Sequence, residues 1–352
     1  MIDSNAKVLI IYTGGTIGMI QNKKTGALEP YSFDNLNQNM PEIQFLSFGV
    51  ESIQFDPPID SSDVTFESWT QILRIIEEQY QNFDGFVILH GTDTMAYTAS
   101  ALSFMCENLT KPIILTGSQL PIGKLRTDAK ENLITALEIA ADKDADGHPL
   151  VPEVSIYMQN LLMRGCRATK INADSFSAFN SPNCNYLAET GIDIIFNDND
   201  IIKPKFNEPT KFNYNLDPNV VVLKLFPGIT ERTVQAILNI EGLKGVVLET
   251  YGSGNSPVFP WFMKLVKDAV DRGVVIVSVT QCLYGSAEMY RYNNGQKLEN
   301  LGVVSGHDMT TEATLMKMIT LFGNNKSSQE VKQLMHVSLR GEIDTRSRII
   351  NI

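Results

Sequence analysis

Short runs of apolar, largely β-branched residues recur along the chain, and each stops at a cluster of glycine and hydroxyl residues. Val8 to Tyr12 ends in Thr13-Gly14-Gly15-Thr16, Phe86 to His90 in Gly91-Thr92-Asp93-Thr94, and Ile113 to Leu115 in Thr116-Gly117-Ser118. Apolar runs without polar alternation predict strands buried on both faces. Between them the period changes. Trp69, Ile72, Leu73 and Ile76 follow i, i+3, i+4, i+7, and Ala129, Leu133, Ala136, Leu137 and Ala140 repeat the theme after Asp128, where Glu131 completes a capping-box signature. A third pattern, Ala96, Ala99, Leu102 and Cys106, follows Thr92-Asp93. Strand alternating with helix predicts a parallel sheet. The expected fold class is α/β: a larger N-terminal domain with a mostly parallel, flavodoxin-like, doubly wound sheet, and a smaller C-terminal α/β domain.

The rhythm breaks between Gly191 and Asn219, a stretch rich in Asn, Asp and Pro, so the expected division is a domain over 1–190, a linker over 191–219 and a second domain over 220–352. Strands are predicted there at Val220 to Leu225, Gly245 to Leu248, Val274 to Val279 and Leu301 to Val304, with a helix after Thr310-Thr311-Glu312. Tyr251-Gly252-Ser253-Gly254-Asn255 is another polar turn at a strand end. No G-x-G-x-x-G with a downstream acid occurs, so a dinucleotide site is not expected.

Composition narrows the partners. The 352 residues carry a formal net charge of −11, which disfavours nucleic acid, because phosphate-backbone affinity comes from Lys and Arg releasing counterions. Met1 to Lys7 pass into the first strand without a basic n-region and apolar h-region. No apolar run approaches the roughly 18 to 20 residues that cross a bilayer. A cytoplasmic protein with no membrane partner is expected. Cys106, Cys166, Cys184 and Cys282 form no C-x-x-C pair and are expected as buried reduced thiols. His90, His148, His307 and His336 show no ligand spacing, so neither metal nor cofactor is expected.

The strand-end clusters are where ligands gather in an open parallel sheet. Gly14 and Gly15 let backbone N–H groups approach a carbonyl oxygen closely, and N–H groups so aimed stabilise a developing oxyanion. Thr16 is then a candidate nucleophile, although a strand-to-helix turn that merely contains a threonine fits this segment taken alone. A threonine hydroxyl needs a neighbouring base or cation, and no histidine lies close to Thr16 in sequence. Thr92-Asp93 offers a second hydroxyl beside a carboxylate, and RGCRATK (Arg164 to Lys170) offers Lys170. Alone, Thr92-Asp93 also reads as a helix N-cap and Lys170 as a solvated lysine. Asp60, Ser61, Ser62 and Asp63 precede the Trp69 helix and suit a bound carboxylate, or plain capping. Glu288 in isolation reads as a surface carboxylate.

Together these segments resemble the bacterial-type asparaginase family and, within it, the cytoplasmic type I L-asparaginases. The resemblance is carried by TGGTIG (Thr13 to Gly18), DSSD (Asp60 to Asp63), HGTDTMAYTASALSF (His90 to Phe104), LTGSQLP (Leu115 to Pro121), RGCRATK, SFSAFNSPN (Ser175 to Asn183), YGSGN, QCLYGSAEM (Gln281 to Met289) and SGHDMTTEA (Ser305 to Ala313). It covers nearly the whole chain. It implies hydrolysis of L-asparagine to L-aspartate and ammonia through an acyl-threonine, without a cofactor. By position, Thr16 matches the family's nucleophile, and Thr92, Asp93 and Lys170 its second catalytic cluster. Ser61 and Ser62, with Asp60 adjacent, match the holders of the substrate α-carboxylate, and Asp93 a holder of the α-amine. Asn255 and Glu288 match groups that reach a neighbouring subunit's site, which implies a homodimer or homotetramer.

Two positions depart from the family pattern. The loop tyrosine expected after the first threonine is absent from Thr25 to Pro30, and Tyr31 is the nearest. Thr169 and Cys282 match residues of an activating effector site in some type I members, but Glu249 stands where those members carry arginine. The sequence is also compatible with a non-catalytic amino-acid sensor on the same scaffold and with a mixed glutaminase-asparaginase, since the two amides differ by one methylene.

Overall fold

The computed structural model describes residues 3–21, 28–30 and 40–344. It separates into two compact units, one of residues 1–181 and 185–214, the other of 182–184 and 215–352.

The first unit is built on an eight-stranded sheet. Its strands are β1 (Lys7–Tyr12), β2 (Gly49–Gln54), β3 (Gly85–Leu89), β4 (Ile113–Thr116), β5 (Val154–Met158), β6 (Leu161–Arg164), β7 (Ala188–Thr190) and β8 (Ile194–Phe196). Their order is β8-β7-β6-β5-β4-β3-β1-β2. The pairs from β2 through β5 are parallel, and β6, β7 and β8 extend the sheet antiparallel. The parallel part has the flavodoxin-like order β2-β1-β3-β4-β5. Every residue of β3, β4 and β5 is buried, which is why these segments read as unbroken apolar runs.

Three helices cross over between the parallel strands: α1 (Phe66–Gln79), α2 (Met95–Met105) and α3 (Ala129–Ala141). The apolar stripe Trp69, Ile72, Leu73 and Ile76 of α1 is buried as its spacing predicts, whereas α2 is buried nearly all round. Burying each large aliphatic side chain contributes about 1.5 to 3 kcal/mol. The capping box expected at α3 does not form. The Asp128 carboxylate accepts instead from the amides of Gln119 and Leu120, and Glu131 accepts from the Tyr157 hydroxyl at 2.6 Å.

The stretch 191–219 differs from the expected linker. Ile194–Phe196 pairs with Ala188–Thr190 at the sheet edge, and Lys211–Phe212 pairs with Cys106–Glu107. Backbone hydrogen bonding of these short segments to the first unit outweighs a polar composition, and the passage to the second unit comes after Tyr214.

The second unit holds a four-stranded parallel sheet in the order β9 (Val220–Lys224), β10 (Gly245–Thr250), β11 (Val275–Thr280), β12 (Val304–Ser305). Helices α4 (Glu231–Leu238) and α5 (Pro260–Asp271) pack on each other, and α6 (Thr311–Gly323) packs on β9 and β10. Among the described residues no helix is long and apolar enough to cross a membrane.

Candidate active site

In the first unit the chain runs from β1 to β2 on one side and then to β3 on the other, so the winding direction reverses at β1. The carboxyl edge between β1 and β3 is therefore the topological switch point. Tyr12 and Leu89 are paired in register, as are Leu89 and Thr116. The three polar turns consequently leave the sheet side by side. The Thr13 amide and hydroxyl both donate to the Leu89 carbonyl at 3.0 Å, and the His90 amide donates to the Thr116 carbonyl at 2.9 Å.

Thr16 opens a single 3₁₀ turn, Thr16–Gly18, and is half-buried. Gly15 before it has φ of 87°, and a Cβ there would lie 2.5 Å from the Gly91 amide nitrogen. No other residue type permits both the left-handed backbone and that approach. The turn bearing Thr16 thus rests directly on the turn that leads to Thr92. The Ser61 side chain also lies against Gly91, and the Ser61 carbonyl accepts from the Thr94 hydroxyl at 2.7 Å.

Thr92-Asp93 is not the N-cap of α2. Thr94 occupies that position, which leaves both side chains for other partners. The Lys170 Nζ donates to Thr92 Oγ1 at 2.9 Å and to Asp93 Oδ1 at 2.6 Å. Lys170 is delivered by a short hairpin in which Thr169 pairs with Asn180 and Lys170 with Phe179. Its side chain is 18% exposed, against 69% for Asp93, so the ammonium is largely enclosed while the carboxylate still faces solvent. An ammonium donating to a hydroxyl oxygen leaves that hydroxyl's own proton directed elsewhere and makes it more acidic.

Ser61 is buried, whereas Asp60 and Ser62 are exposed. Asp60 caps the turn Ser61–Asp63, accepting from the Ser62 amide and hydroxyl, both at 2.9 Å. Those two bonds, the amide first, hold its carboxyl below the usual carboxylate range.

His90 is a residue whose part the sequence reading missed. It is buried, its Nδ1 donates to the Gly91 carbonyl at 2.7 Å, and its Nε2 accepts from the Thr98 hydroxyl at 3.0 Å. Thr98 in turn accepts from the Trp69 indole at 2.9 Å. A carbonyl only accepts, so the neutral Nδ1–H tautomer is fixed. Burial pushes the imidazole from 6.5 down to about 4. Between pH 6.5 and about 4 the unfolded chain binds a proton that the folded ring refuses. This contribution to stability is complete above pH 6.5 and is lost as pH falls through the folded value, by up to about 3 kcal/mol. Urea unfolding followed through Trp69 in a Trp261→Phe background should show that decline. His90→Gln should flatten it, and an equal slope in both proteins would contradict the assignment.

The remaining candidates lie in the second unit, apart from Thr169 in the Lys170 hairpin. Asn255 closes the turn after β10, exchanging two 2.8 Å backbone hydrogen bonds with Tyr251. It lines a cleft of about 830 Å³ with Phe226, Tyr251, Phe259 and Tyr292. Glu288 is ion-paired with Arg291. The Glu249 carboxylate accepts from the Thr311 hydroxyl at 2.7 Å and lies 3.2 Å from the Lys224 ammonium. Tyr31 and the 25–27 stretch lie outside the described residues. Among the described residues there is no disulfide; Cys106 and Cys166 are buried, but Cys184 is half-buried and Cys282 exposed, contrary to expectation. Donor atoms of Asp144, Asp146 and His148 lie within 4.8 Å of one another, a proximity that histidine spacing did not signal. Their loop joins α3 to the amino end of β5, at the opposite edge of the sheet from Thr16.

Residues 7–202 match the family described as Asparaginase, N-terminal, and residues 219–335 the Glutaminase/Asparaginase C-terminal domain. The chain belongs to the asparaginase family. Over 349 residues it is 41% identical to L-asparaginase 1 of Escherichia coli strain K12, covering 96% of this chain and 97% of that protein. The crystal structure of L-asparaginase I from Vibrio cholerae superposes with a TM-score of 0.87 at 41% identity, covering 97% of this chain and 99% of that one. A mouse 60 kDa lysophospholipase is 39% identical over 96% of this chain and 62% of its own length. As an asparaginase-family protein the chain is a hydrolase, and the mixed α/β architecture read from its patterning is that of its relatives.

Proposed function

We propose that the protein is an L-asparagine amidohydrolase that works through a covalent acyl-threonine at Thr16. The observation that carries this reading is the Lys170 ammonium bridging Thr92 Oγ1 and Asp93 Oδ1, on a turn packed against the one that presents Thr16. In the first half-reaction Thr16 Oγ forms a bond to the side-chain amide carbon and the C–N bond breaks. The hydroxyl proton leaves with the amine, so that ammonia departs and a β-aspartyl ester remains. Water then cleaves the ester, releasing L-aspartate and restoring the hydroxyl. Thr92, polarised by Lys170, relays protons, while Asp93 binds the substrate α-amine and holds the lysine against Thr92. Ser61 and Ser62, with Asp60 beside them, hold the α-carboxylate. The chemistry as proposed draws on these side chains and on no cofactor.

The assembly proposed is a homodimer or homotetramer in the cytoplasm, with Asn255 and Glu288 reaching the site of a neighbouring subunit. Thr169 and Cys282 stand at the effector-site positions, but Glu249, at the position of the arginine, is an acid already engaged by Lys224 and Thr311.

Ammonia release by the purified protein, measured with L-asparagine and with L-glutamine over a range of concentrations, tests the reading. Release from asparagine is expected, with glutamine slower, because one methylene in a pocket is worth roughly 1 to 3 kcal/mol. Asparagine bound in a calorimeter but never consumed would replace the proposal with an amino-acid sensor. Equal rates on the two amides would make it a mixed glutaminase-asparaginase.

A further inference from the structure

The turn after β4 is held by two polar side chains one helical turn apart, Asn132 on α3 and Asp128 at its N-cap. Asn132 is 1% exposed although it lies on the apolar stripe of that helix. Its Nδ2 donates to the Gly117 carbonyl at 3.0 Å, and its Oδ1 accepts from the Gln159 amide at 3.2 Å. Asp128 takes the next part of the same turn, accepting from the amides of Gln119 and Leu120 at 3.0 and 3.1 Å. A buried amide that satisfies both its donor and its acceptor in this way fixes the groups around it.

That turn touches the Thr92 and Lys170 segments from two directions. A Cβ on Gly117 would lie 2.5 Å from the His90 carbonyl oxygen and 3.5 Å from Thr92 Cγ2. The turn that Asn132 holds therefore passes beside the Thr92 methyl group, with the Met95 methyl against the same glycine. On the other side, the Gln119 side-chain amide donates to the Ser175 carbonyl at 2.9 Å. Ser175 lies in the loop that closes the Lys170 hairpin, where the Ile171 amide donates to the Ala178 carbonyl at 2.8 Å.

We propose that Asn132, with Asp128 one turn before it, is a positioning residue that sets the Thr92–Lys170 contact through the Gly117–Leu120 turn. It touches none of the reacting groups. Losing the Asn132 donor releases the Gly117 carbonyl, and the turn relaxes away from Thr92. The inference deepens the proposed function and rests on it for its kinetic consequence.

The test uses Asn132→Ala and Asn132→Leu in the full chain, with Ile139→Val, a buried change farther along α3, as a control for loss of stability alone. Asn132→Leu keeps most of the side-chain volume and has no donor for Gly117, so it decides the matter if the alanine variant fails to fold. In a crystal structure of either variant the Lys170 Nζ to Thr92 Oγ1 separation, 2.9 Å here, is expected to pass beyond hydrogen-bond reach, more than about 3.5 Å. The kcat for asparagine is expected to fall about 10- to 100-fold while KM stays within about threefold, as misplacement of a reacting group does. Ile139→Val should leave both near the parent values. A separation still at hydrogen-bond length, or an unchanged kcat in a folded Asn132 variant, would overturn the inference. Should the parent protein release no ammonia, the proposed function fails and the separation alone decides this one.

Discussion

Thr16→Ala is expected to lower kcat for asparagine by about four orders of magnitude or more while leaving the fold and substrate binding in place. In the proposed mechanism this loses the nucleophile and with it the covalent route, and knocking out a nucleophile in other enzymes costs comparably large factors. The half-buried Thr16 side chain sits in one 3₁₀ turn whose geometry is set by Gly15 and its approach to Gly91, so alanine fits the same backbone. Calorimetry on the variant should still show asparagine bound. Thr16→Ser keeps a hydroxyl at the same atom and should retain far more activity than the alanine variant. Ammonia release undiminished in Thr16→Ala would assign the attack to another group.

The second large effect is at Lys170. Lys170→Met keeps most of the volume and removes the ammonium that donates to Thr92 and Asp93; a fall in kcat of about 10³-fold is expected. Thr92→Val should cost a similar factor, because the lysine acts on the proton of that hydroxyl. In the proposed mechanism the two side chains work as one relay, so the double variant should be little worse than either single one, a strong departure from additivity. Multiplying losses in the double variant would mean that Lys170 and Thr92 act independently.

How far the sequence reveals this site varies from residue to residue. The Thr16 and Thr92 turns were legible because each ends an apolar run, and a parallel sheet gathers its strand ends at one edge. Lys170 was not legible from pattern. It lies 78 positions from Thr92, on a hairpin strand of two residues that has no periodicity to read; RGCRATK offered the lysine, and only the resemblance joined it to Thr92. The same brevity hid Ile194–Phe196 inside a stretch whose composition resembles a linker. Asp128 showed the opposite failure: a genuine capping signature was overridden because Gln119 and Leu120 offered two amides to its carboxylate. Asn132 and His90 carried a usable signal. Each is a polar residue at a position the apolar pattern marks as buried, and a buried polar group has to be hydrogen-bonded to something that matters to the local backbone.

The account turns on where the acyl group rests between the two half-reactions. Acid quenching of the protein during turnover of asparagine, followed by peptide mapping in a mass spectrometer, reads that position directly. The prediction is an aspartyl ester on the peptide containing Thr16, absent from Thr16→Ala. An ester mapped to Thr92 or to any other side chain, or turnover with no acylated species under rapid quench, would contradict it.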